Sequence, residues 1–113
     1  MKNLNSKVVN ALKNIDVPVN FIKRAKAPIS ISFFIINGIP EKFEDDGYKY
    51  IEYSIQIDIW AEYGNSITQL TKDVINAMEW SGFSLTHIRA DMYESDTNIV
   101  HKPLEFRYLE QVK

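Results

Sequence analysis

An α+β fold is predicted: one domain built on a mostly antiparallel β-sheet of four to five strands, with two helices packed on it. The expected order is helix-strand-strand-strand-helix-strand-strand. Three observations lead there. Ile51, Tyr53, Ile55, Ile57 and Ile59 alternate strictly with Glu52, Ser54, Gln56 and Asp58, as in a strand with one buried and one polar face. Two other segments, near residue 4 and after residue 66, space their apolar residues at helical intervals. A chain of 113 residues also supplies one core and no more, so residues 1–113 are read as a single domain.

Taken in order, Leu4, Val8, Ala11, Leu12 and Ile15 form an apolar stripe opposite Lys7, Asn10, Lys13 and Asn14, which predicts an amphipathic helix over residues 4–14. Asp16-Val17-Pro18 ends it, because proline disfavours a helical residue before it. A short strand is expected over 19–24. A second, rich in β-branched and aromatic residues, is expected over 29–37, with Ile29, Ile31, Phe33 and Ile35 on one face and Ser30, Ser32, Phe34 and Ile36 on the other. The stretch GIPEKFEDDG, 38–47, reads as a polar loop ending in the Asp46-Gly47 turn pair. The alternating strand covers 48–61.

Ser66 and Gln69 match a capping box, in which each side chain satisfies a free backbone N–H of the first turn. The stripe Ile67, Leu70, Val74, Ile75 and Met78 continues the helix, and Gly82 stands where a left-handed C-terminal cap belongs. Residues 83–93 and 99–109 are expected as closing strands joined by the turn formers Glu94-Ser95-Asp96-Thr97-Asn98.

Composition narrows the function. The chain is 45% hydrophobic and 25% charged with a formal net charge of -2, ordinary for a globular protein and without the basic footprint of nucleic-acid binding. Without cysteine it has neither disulfides nor zinc–thiolate sites. The first residues hold no apolar stretch long enough for a signal peptide, and the run Phe33–Ile36 is far too short to cross a membrane. No phosphate-binding glycine loop, G-x-S-x-G elbow or H-E-x-x-H helix occurs.

One stretch holds the residue types of a metal or acid–base centre. Asp91, Glu94, Asp96 and His101 fall within eleven positions, and a small metal-dependent hydrolase is the enzyme alternative they suggest. The spacing defines no ligand set, however, and a polar hairpin turn is the stronger reading. Asp58 is expected to pair across strands with Arg107 or Lys102. Glu44-Asp45-Asp46 lacks calcium-loop spacing and reads as solvated. Lys23, Arg24 and Lys26 beside Phe21 are weak support for a nucleic-acid patch on a net acidic chain, and an oligomer-interface strand explains them as well. More distinctive are Phe34, Ile36 and Trp60 on the face away from the expected core, with Phe43 or Tyr48 near them and Trp80 at the helix end. Apolar groups on an uncovered sheet face mark a partner surface unless the first helix covers them. Phe34, Ile36, Phe43 and Trp60 are therefore the interface candidates; no catalytic, cofactor or metal residue is assigned.

The order of elements, with "IQIDIW", the helix end "SGF" and "DMYESDTNIVHKPLEFRY", resembles the tail completion (tail terminator) proteins of long-tailed bacteriophages and prophages, from Leu4 to Glu110. The resemblance implies a non-enzymatic structural protein that needs no cofactor. It would form a ring, usually a hexamer, that caps the head-proximal end of the tail tube and takes part in head–tail joining. Its implied partners are copies of itself, the tail tube protein and the head–tail connector protein, with no sequence-specific nucleic acid and no membrane. Its implied location is the virion tail, reached from the host bacterial cytoplasm during assembly. Another neck or connector subunit is the alternative within the same class.

Overall fold

Apolar alternation builds the centre of the molecule. The computed structural model describes residues 4–42 and 47–112, and its elements run α1 (Leu4–Ala11), β1 (Val19–Phe21), β2 (Ile29–Lys42), β3 (Tyr48–Glu62), α2 (Thr68–Trp80), β4 (Ser84–Ile88), β5 (Met92–Glu94) and β6 (Ile99–Gln111). The architecture is the expected α+β one, a single domain with six strands. The strand order is β1-β2-β3-β6-β4, with β5 also paired to β6. Only β1 and β2 run parallel; every other pair is antiparallel.

Register explains how one face becomes the core. Ile31 lies opposite Ile59, Phe33 opposite Ile57, and Ile57 opposite Leu104, so apolar side chains of three strands share a face. Both helices lie on that face: Leu4 and Val8 from α1, with Val74 and Met78 from α2, join the same buried cluster. Each large side chain so buried contributes about 1.5–3 kcal/mol. α2 ends as the glycine predicts. Gly82 has φ +96°, its N–H donates to the Glu79 carbonyl (3.1 Å), and the Phe83 N–H donates to the Met78 carbonyl (3.0 Å). Those two bonds define a Schellman cap.

The start of α2 corrects the capping box. Ile67, not Ser66, is the N-cap, and no side chain caps it. Gln69 instead donates to Asp73 Oδ1 at 2.9 Å. Ile67 is itself buried, and the helix begins just after that apolar anchor.

The 38–47 loop is corrected as well. β2 continues through Lys42, pairing Ile39 with Glu52 and Pro40 with Ile51. Ile36 is the extra residue of a bulge between Ile35 and Asn37. Gly38 is required there, since an added Cβ would lie 2.7 Å from Cε1 of buried Tyr53. Residues 43–46, including Phe43, the Glu44-Asp45-Asp46 run and the first half of the Asp46-Gly47 turn, lie outside the described residues.

The expected strand 83–93 is interrupted at 89–91, and Pro103 on β6 accounts for the break. Arg89 N–H donates to the Pro103 carbonyl at 3.0 Å, but proline has no N–H to return. The Arg89 carbonyl accepts from Lys102 Nζ instead, at 3.3 Å.

Candidate functional site

The sheet face opposite the helices carries the chain's most interlocked polar side chains. Register sets them in rows: Ser30–Trp60–His101, then Ser32–Asp58–Pro103, then Phe34–Gln56–Glu105. The 22–28 connection between β1 and β2 closes over the first row. Arg24 places its guanidinium 5.3 Å from the Trp60 ring centroid, a cation–π contact. Residues 24–28 also line a shallow cavity of about 270 Å³ with Glu62 and Ile99, which project from the same face.

Beneath that connection the polar groups satisfy one another. Trp60 Nε1–H donates to Ser32 Oγ at 2.9 Å. Its ring stacks on His101 at 3.9 Å with 7° between planes. His101 Nε2 lies 2.7 Å from Asp58 Oδ1; the carboxylate accepts, so Nε2 carries the hydrogen. Gln56 Nε2 donates to the same Oδ1 at 2.8 Å. Asp58 is only 4% exposed, so these bonds replace the water it has lost. Ser30 Oγ is buried with no hydrogen-bond partner.

Asp58 therefore pairs with His101, not with Arg107 or Lys102. Lys102 projects to the other face and meets Asp91 at 2.6 Å. Arg107 stands opposite Ser54, with Glu52 4.0 Å away. The four residues of the 91–101 stretch do not converge. Asp91 is held by Lys102, Glu94 accepts from Thr97 Oγ1 at 3.0 Å, and His101 turns to Asp58. Among the described residues no three His, Cys, Asp or Glu side chains come together as a metal site. Ser30 shares the row of His101, but Trp60 stands between them, and two strand spacings are roughly 10 Å. Chemically the cluster ties the β1–β2 connection to the sheet.

The interface candidates separate. Trp60 is half-buried within this cluster, and Phe34 is half-buried opposite Gln56. Ile36 is 41% exposed at the bulge. The sequence reading overlooked exposed Ile39 and Leu109, which flank Glu52 in one row. Alternation through β6 already set Leu109 beside Arg107, whereas Ile39 was hidden by the turn-like Gly38 and Pro40. Trp80 is 92% exposed at the end of α2. Searches of known family models and of curated proteins give no match to this chain.

Proposed function

We propose that this protein is a structural assembly subunit of the tail terminator kind, a ring that caps the head-proximal end of a phage or prophage tail tube and meets the head connector. One observation carries the reading beyond the resemblance: the long strands outrun the helices that cover them. β2, β3 and β6 hold 14, 15 and 13 residues, whereas α1 and α2 hold 8 and 13. At the rise of each element, a 14-residue strand spans roughly 46 Å and the longer helix only about 20 Å. The molecule accordingly measures 54 × 26 × 21 Å. At that end, on the face opposite the helices, Ile39 and Leu109 flank Glu52 and are about half exposed, and Ile36 is exposed at the bulge; these are apolar side chains that a partner protein would bury.

Incubating the purified protein with tail tubes and imaging them by electron microscopy tests the reading. A ring at one end of each tube and arrest of tube growth are expected. Bare tube ends at saturating protein would refute it.

A further inference from the structure

The sheet ends on two short strands, β1 on one side and β4 followed by β5 on the other, and neither pairs on its outer side among the described residues. Natural proteins shield such edges, because free N–H and C=O groups recruit another strand. Here both edges carry apolar side chains instead. Phe21 and Ile22 are 45% and 62% exposed on β1 and just after it; Ile88, Met92 and Tyr93 are comparably exposed across the sheet. Ile22 is moreover held at φ +67°, a strained conformation for a β-branched residue that keeps an apolar group on the rim.

The edges match each other in three respects. Phe21 pairs with Phe33, Phe33 with Ile57, Ile57 with Leu104, and Leu104 with Ile88. The two exposed residues thus end a single row, roughly 19 Å apart at the usual strand spacing. Their shapes complement: Phe21, Phe33 and Val9 line an apolar groove of about 600 Å³ beside α1, while Ile88 stands exposed on the same sheet face at the other edge. Their charges are opposite. Lys13 lines the groove and Lys23 follows Ile22, against Asp16 alone. At the other edge Arg89 is held by Glu105 and Asp91 by Lys102, which leaves Glu94 and Asp96 exposed.

We infer that the β4–β5 edge of one copy docks on the β1 edge and groove of the next. The occupant is a second copy of this chain. Two different patches on opposite sides of a subunit make a heterologous contact, which gives a closed ring when the rotation closes. The inference rests on the ring reading above and specifies its interface.

Phe21→Asp and Ile88→Asp test it, each burying an unpaired carboxylate at one half of the contact, with circular dichroism confirming the fold. Light scattering should show each variant monomeric, self-association falling about tenfold or more. An equimolar mixture should give 1:1 dimers and nothing larger, because one intact half survives on each variant. A second measurement uses the absence of native cysteine. Oxidised Phe21→Cys/Ile88→Cys protein should give a ladder of covalent multimers, and either single variant none. Wild-type-sized rings from either aspartate variant would overturn this interface and leave the ring reading standing. A wild-type chain that stays monomeric both alone and on tail tubes would remove the ring reading, and this interface with it.

Discussion

The two faces of the sheet are buried by different means. Toward the helices, Ile31, Ile57, Leu104 and Phe106 belong to one apolar cluster with α1 and α2, and the buried Thr71 hydroxyl there is satisfied within its own helix by the Ile67 carbonyl. On the other side the same strands bury Ser30, Ser32 and Asp58 under a seven-residue connection and two stacked rings. The first face depends on shape and area, which are tolerant in chemistry and costly in volume. The second depends on completed hydrogen bonds, and its weakness is any group left without one. Folding strength should therefore be concentrated on the helix side, and the position of the β1–β2 connection should be set on the other.

The largest effect expected follows from the first half of that contrast. Phe106→Ala, at a fully buried site in the core cluster that both helices join, should destabilise the protein by about 3–5 kcal/mol in urea denaturation. A loss under about 1 kcal/mol would mean that the helix layer adds little, and the contrast would fail at its stronger end.

Asp58→Ala comes next. It leaves His101 and Gln56 without their shared acceptor, for a loss of roughly 2–3 kcal/mol. The sharper measurement is the double-mutant cycle with His101→Ala. If the polar face works as a network, the two losses should fall short of additivity by about 1 kcal/mol or more. Additive losses would reduce the cluster to unrelated contacts.

The same contrast explains what the sequence revealed. The helix side was legible because area burial leaves a periodic trace: the isoleucines of β3 and the stripe of α2 are visible one residue at a time. The far side was not, because its partners come from separate segments. Nothing local joins Asp58 to His101, 43 positions away; only register does, and it sets Lys102 on the wrong face and Arg107 two rows off. Pro40 and Gly38 misled for a related reason. They read as loop, yet β1 stops beside Phe33, so β2 is an edge strand at Pro40 and tolerates a missing N–H on its outer side. The break opposite Pro103 was likewise unreadable until β4 and β6 were known to pair. Of the interface candidates, Ile36 was singled out because alternation set it on the face away from the core, and the Phe21 segment because its cations suited an oligomer-interface strand, whereas Ile88 looks like an ordinary strand residue until it proves to be on an edge.

The smallest effect separates two serines two positions apart on the polar face. Ser32 Oγ accepts the Trp60 indole hydrogen, and Ser32→Ala leaves that half-buried donor unpaired, at a cost of about 1 kcal/mol. Ser30 Oγ is equally buried but bonds to nothing, so Ser30→Ala removes a desolvated hydroxyl and loses no bond. It should leave stability unchanged or raise it by up to about 1 kcal/mol. Thermal denaturation of the two variants side by side distinguishes these outcomes, since changes of backbone propensity are common to both. Equal losses would show that the hydroxyl of Ser30 also has a partner, and that satisfaction on this face extends beyond the cluster around Trp60.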